Sequence, residues 1–240
     1  MRGGSLNVLP EAGAYMQDQS SQIKILYEDN HLLAIDKPWG LLTQPSRSST
    51  DSMEERAKAY IKETRGKPGK VFLHAVHRLD RVAAGITLFA LTDKALSRMN
   101  EQMRSHEITR TYHAAVTGQL SADQGTLVHY LKHSRLMSKI SGEHEAGAQR
   151  SVLDYRVIFR KNRMTLVEVA LVTGRYHQIR AQLSAEGCPI VGDTLYGSRA
   201  AFTGNAIALM HKEMRFIHPV LKEMIIISAD YPDGWPLPRG

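Results

Sequence analysis

Asp80 stands between two arginines in His77-Arg78-Leu79-Asp80-Arg81, and Val82-Ala83-Ala84-Gly85 leads from it into an apolar run that begins at Ile86. Neighbouring guanidinium groups favour an ionised carboxylate, which can then act on an electron-poor centre. The plainer alternative is an exposed Asp-Arg pair holding a turn. A second constellation, Thr173-Gly174-Arg175-Tyr176-His177-Gln178-Ile179-Arg180, passes from a strand end into a helix start. The free backbone N–H groups of such a junction, with Arg175 and Arg180 alongside, form a natural anion site, although a basic helix start with no ligand would look the same. The third is Arg110-Thr111-Tyr112-His113-Ala114, where Tyr112 offers either an aromatic platform for a nucleobase or ordinary core packing. His74 and His77 have a ligand-like spacing, but with no cysteine nearby they read as packing and hydrogen-bonding residues, and no metal is expected.

These residues need elements to position them. Ile23–Tyr27 and Leu32–Ile35 flank the turn-rich 28–31 and predict a hairpin. Ser52-Met53-Glu54-Glu55 fits a capping box opening a surface helix to Glu63. Ile86–Leu91 reads as a buried strand, and Thr92 caps a second helix to about Ser105. Further strands are predicted at Thr111–Thr117, in a long hairpin over 152–159 and 164–173, and near Ile207–Met210 and Ile225–Ser228. A helix over His177–Glu186 carries Ile179 and Leu183 on one face and ends at Gly187. The segment Leu131–Arg150 reads as a long flexible loop. Hairpin-spaced strands with few helices favour an α+β fold on a mainly antiparallel sheet.

The chain has 240 residues, 42% of them apolar, which suits one large globular domain over residues 23–240 behind a loose tail at 1–22. Its single cysteine, Cys188, excludes an intramolecular disulfide and a multi-cysteine zinc site and suits a reducing, cytoplasmic setting. The first twenty residues hold no apolar run of signal-peptide length, and nowhere do eighteen or so apolar residues follow one another, so a soluble protein without a membrane partner is expected. A net charge of +7 and a pI near 9.5 are compatible with a polyanionic partner and equally with a mildly basic cytoplasmic protein.

Together these segments resemble the RluA-type family of RNA pseudouridine synthases. The family's opening segment is similar to 28–41 here, Glu-Asp-Asn-His-Leu-Leu-Ala-Ile-Asp-Lys-Pro-Trp-Gly-Leu, and its catalytic-loop motif to His77-Arg78-Leu79-Asp80-Arg81 with Gly85. Its later motif is similar to Thr173-Gly174-Arg175 with His177-Gln178-Ile179-Arg180. Further matches are Gly187-Cys188-Pro189-Ile190, Gly192-Asp193, Tyr196-Gly197 and His218-Pro219, in the family's order across roughly residues 23–236. The resemblance implies a central mixed, mostly antiparallel sheet flanked by helices and loops, no cofactor, and a uridine in structured tRNA or rRNA as substrate, with no DNA partner. It also implies that Asp80 is the catalytic aspartate, Tyr112 the tyrosine that stacks on the target base, and Arg180 the basic partner of the aspartate. Arg78, Arg81, Arg110, Arg175, His177 and Gln178 are then candidate RNA contacts, with Arg104, Lys132, Arg135 and Lys139 as further candidates for phosphate.

Making pseudouridine breaks the C1′–N1 bond, turns the uracil and rejoins it through C5. An oxocarbenium-like sugar is the problem that glycosidases meet with two carboxylates. Here the base returns and no water needs activating, so one carboxylate suffices, whether it attacks C1′, removes a proton from C2′ or only stabilises charge. Flipping the uridine out of folded RNA costs roughly a few kcal/mol, which basic loops and an aromatic platform would offset.

The chain departs from the family at Val82-Ala83-Ala84, where hydroxyl residues are usual, and at Ala181-Gln182, where Val-His is common. These departures motivate a second reading, a non-catalytic RNA-binding or RNA-folding protein on the same scaffold. A nucleotide- or phosphate-metabolising enzyme ranks last, since no Walker loop or dinucleotide fingerprint is present. No accessory RNA-binding domain is expected before the catalytic domain, and a monomer is the default.

Overall fold

In the computed structural model, residues 23–47, 49–66 and 68–236 are described, so the tail read at 1–22 lies outside the described residues. The elements in chain order are β1 (Lys24–Glu28), β2 (Leu32–Lys37), α1 (Met53–Thr64), β3 (His74–Ala75), β4 (Ala84–Ala90), α2 (Asp93–Arg104) and β5 (Thr109–Thr117). Then follow β6 (Gln124–Ser134), β7 (Met137–Ser141), β8 (Ala148–Lys161), β9 (Met164–Leu171), α3 (Gln178–Ala185), β10 (Leu209–Ile217) and β11 (Met224–Ser228). They build one sheet in the order β1-β2-β4-β10-β5-β9-β8-β6-β7, with β11 on β10 and β3 on β4. Among the described strands only the β4–β10 pairing is parallel, which gives the mixed, mostly antiparallel sheet of an α+β protein.

The apolar runs of β2 and β4 arise because both faces are covered. Leu33, Ile35 and Phe89 pack with Met53, Ala57 and Ile61 of α1, while Leu32, Ala34, Ile86 and Leu88 join the main core with Ala95 and Met99 of α2. Successive strand residues point to opposite faces, so each side of the sheet takes every second residue. The caps expected at Ser52 and Thr92 are present, accepting from the backbone N–H groups of Glu55 and Ala95 at 3.3 and 3.2 Å.

The parallel pairing matters for the site. It sets Gly85 beside His211 with φ +104°, where a Cβ would lie 2.3 Å from the His211 carbonyl oxygen. Only glycine meets both the conformation and the approach, and the loop carrying Asp80 enters β4 at this point.

One expectation is overturned. Residues 131–150 are not a flexible loop: β6 and β7 form an antiparallel hairpin, Tyr130 to Ser134 against Met137 to Ser141, and β8 already begins at Ala148. Few large apolar residues mark this hairpin, because much of its outer face is exposed and its inner face is largely polar. Its order comes from pairing with β8 and from a small cluster of Leu131, Ala181 and Tyr196 against Met137.

Candidate active site

Two segments distant in sequence meet at a cavity of about 920 Å³, near the upper end of the roughly 300–1,000 Å³ usual for small-ligand sites. Residues 76–83 line one side, 174–180 another, and Arg110 and Tyr112 of β5 also border it.

The Asp80 loop is fixed through its backbone. Thr43, buried, accepts from the Leu79 N–H at 3.0 Å and donates to the Leu79 carbonyl at 3.1 Å. The fully buried Lys37 ammonium donates to the carbonyls of Ala83 (2.6 Å), Leu41 (2.9 Å) and Pro38 (2.9 Å). Burial pushes Lys37 down to about 7, against the upward pull of the Asp80 and Asp36 charges. Arg81 turns away from the cavity's centre and donates its Nε to the Gly40 carbonyl at 2.7 Å.

On the facing side Arg180, in the first turn of α3, is shared by two carboxylates. Its Nε and Nη2 donate to Asp193 at 2.7 and 2.9 Å, and Nη1 donates to Asp80 Oδ2 at 3.0 Å. The Asp193 side chain is 1% exposed and that of Asp80 24%, so one carboxylate anchors the guanidinium and the other opens to the cavity. Burial alone would lower the Arg180 pKa, but the hydrogen bonds and charges of Asp193 and Asp80 hold it above its ordinary value. One positive charge between two negative ones leaves Asp80 incompletely neutralised. Its Oδ1 has no hydrogen-bond donor among the described residues.

His177 completes this side in a left-handed conformation, φ 52°. Burial lowers its pKa to about 4; the Asp80 carboxylate opposes that shift and Arg180 adds to it. The ring is therefore neutral at pH 7. Its Nε2 accepts from Arg180 Nη1 at 2.8 Å, which assigns the proton to Nδ1, 3.1 Å from the Tyr196 hydroxyl. That hydroxyl in turn accepts from Ser138 N–H (2.8 Å) and donates to the Ser138 carbonyl (3.1 Å). The hairpin misread as a loop thus fixes the tautomer of a residue beside Asp80.

The other expected residues divide. Tyr112 lies in the cavity wall, 6% exposed, with its ring stacked on His211 at 4.5 Å and 14°, and burial pushes its hydroxyl up to about 12. Arg78 and Arg175 are exposed at the rim, while Arg110 is nearly buried and packs on Gly174, where a Cβ would meet its Nη1 at 2.9 Å. Gln178 is 3% exposed and its amide is engaged internally, accepting from Arg175 N–H and Thr173 Oγ1 at 2.9 Å each and donating to the Val152 carbonyl at 3.0 Å. It holds the turn at the cavity wall. The strand-to-helix junction was expected to offer free N–H groups to an anion; Gln178 takes the Arg175 N–H, and the anion held by Arg180 here is the protein's own Asp80. His77 is buried against His211 and accepts from Leu88 N–H at 3.3 Å, in keeping with its reading as a packing and hydrogen-bonding residue.

Gln182, one of the departures, is fully buried outside the cavity lining and donates to the carbonyl of Leu127 at 3.1 Å, tying α3 to β6. Thr43, His211 and Ser138 carried no chemical signal in the sequence. Lys37, Asp193 and Tyr196 stood in matched motifs without a role.

A recessed tyrosine and a carboxylate held by a shared arginine thus border one cavity on a mixed sheet. Residues 31–185 match the family model described as RNA pseudouridylate synthase, and the chain belongs to that family of isomerases. It is 33% identical over 228 residues to the "Uncharacterized RNA pseudouridine synthase YhcT" of Bacillus subtilis (strain 168), covering 94% of this chain and 72% of that protein. It is 32% identical to the "Dual-specificity RNA pseudouridine synthase RluA" of Vibrio vulnificus (strain CMCP6), covering 92% and 89%. It is also 30% identical to the "tRNA pseudouridine synthase C" of Vibrio parahaemolyticus serotype O3:K6, covering 89% and 92%. In fold it is similar to human RNA pseudouridylate synthase domain containing 4, with a TM-score of 0.76, 22% identity, and 88% and 89% of the two chains covered. No helix among the described residues is long and apolar enough to cross a membrane.

Proposed function

We propose that this protein isomerises a uridine of tRNA or rRNA to pseudouridine, with Asp80 as the carboxylate that meets the sugar as the C1′–N1 bond opens. The observation that carries the proposal is the sharing of Arg180: Asp193 takes two of its donors, and the third holds Asp80 by one oxygen at the edge of the cavity. A carboxylate so placed is oriented and can stabilise positive charge that develops on the sugar. Tyr112 supplies the surface on which the detached uracil turns before C5 bonds to C1′ and loses its hydrogen. Arg78 and Arg175 receive phosphates at the rim, so affinity should fall with added salt. The reading carries with it a monomer, acting in the cytoplasm on RNA and not on DNA.

The test is tritium release from transcripts labelled at C5 of uridine, with tRNA and rRNA assayed separately and Asp80→Asn as control. Release by the wild type alone is expected. RNA binding without release from either pool would favour the non-catalytic reading motivated by Val82 to Ala84.

A further inference from the structure

Beside the cavity lies an aromatic residue that the uridine chemistry does not use. Tyr176 is 45% exposed and borders the cavity, in a stretch otherwise occupied by Arg175, His177 and Arg180. An exposed tyrosine is ordinary on a protein surface, but this one is held. Its ring stacks on His177, with centroids 3.8 Å apart and planes 19° from parallel, and His133 of β6 meets it edge-on at 4.7 Å and 86°. Its carbonyl accepts from Ser138 Oγ at 2.5 Å. His177 is itself fixed by Arg180 and Tyr196. The Tyr176 hydroxyl lies within the fields of Asp80, Arg180 and Arg78, and burial raises its pKa.

Tyr112 is recessed and Tyr176 is outward, so the cavity has an inner and an outer aromatic surface with Asp80 near both. A flipped uridine fills only part of a cavity of about 920 Å³. The nucleotide next to it must leave by the rim, where Arg78 and Arg175 are exposed. Flat, immobilised aromatic rings bind nucleobases by stacking whatever the base identity.

We propose that Tyr176 is a stacking platform for the nucleobase flanking the target uridine, held in place by His177, His133 and Ser138. The inference rests on the uridine-isomerase reading above. It makes Tyr176 a residue of substrate selection: a flanking purine, with its larger π-face, is favoured, and target recognition extends beyond the flipped base.

The probe is a short RNA stem-loop with one loop uridine, carrying 2-aminopurine on its 5′ side in one version and on its 3′ side in another. Wild type and Asp80→Asn should quench 2-aminopurine in one version. Tyr176→Ala should lose that quenching, and Tyr176→Phe and Tyr176→Trp should keep it. On an RNA that releases tritium, Tyr176→Ala should raise KM about tenfold with kcat nearly unchanged. Equal quenching by wild type and Tyr176→Ala, or none by wild type in either version, overturns the inference. Quenching bears on the platform and tritium release on the isomerase, so each can fail without the other.

Discussion

The two sides of the cavity are held by different means. The Asp80 loop is tied down by bonds to its backbone, from Lys37 to carbonyls and from Thr43 to both polar groups of Leu79. The facing side is a relay of side chains: Asp193 to Arg180, Arg180 to His177, His177 to Tyr196, and Tyr196 to Ser138 of β7. Backbone anchoring fixes where the carboxylate sits, with Ala83 and Ala84 packed in the main core behind it. A side-chain relay fixes which charges and protons face it, and so depends on each member and on pH.

The contrast is sharpest in Asp80→Asn, which should reduce tritium release by about a thousandfold or more while leaving the melting temperature nearly unchanged, because the loop's anchors remain. Arg180→Met should act on both counts. It removes the partner of the 1%-exposed Asp193 and should destabilise by about 3–5 kcal/mol in urea unfolding as well as abolishing turnover. A loss under 1 kcal/mol would mean that Asp193 is relieved in another way.

Thr43→Val strips both bonds from Leu79 and should cost about 1–3 kcal/mol, with Thr43→Ser restoring most of it. An unchanged denaturation midpoint would move the weight of the anchoring to Lys37. The smallest effect is that of pH on the relay. The folded pKa of His177, about 4, lies below the ordinary 6.5, so the unfolded chain binds more protons between these values. His177's contribution is fully present above about pH 6.5 and is lost as pH falls toward 4. The stability difference between wild type and His177→Asn should therefore shrink from pH 7.5 to pH 5, and a constant difference would count against a neutral, relay-bonded ring.

Much of this is legible in the sequence. Capping signals at Ser52 and Thr92, the alternation in β8, and the apolar run of β4 are local, and local patterns survive folding. Asp80, Tyr112 and Arg180 stood out by type and by their place in ordered motifs, and they do border one cavity. In the sequence, Val82 to Ala84 and Gln182 put substrate choice or rate in doubt more than the chemistry. Gln182 proves to be a buried tie between α3 and β6, outside the site.

By itself, then, the sequence determined most of the elements, from residue types at short spacing, and the family, from motifs in order along the chain, and it singled out Asp80 as the candidate carboxylate. Tertiary structure decided what those residues do to one another. Asp80 and Arg180 meet across a hundred residues, although one precedes β4 and the other follows β9, strands that β10 and β5 separate in the sheet. Gln178 was drawn inward, Tyr176 was left outward, and a polar segment became the hairpin that orients His177. Each outcome depends on which buried donors and acceptors find partners, and that is settled by contacts between distant segments, not by the local pattern.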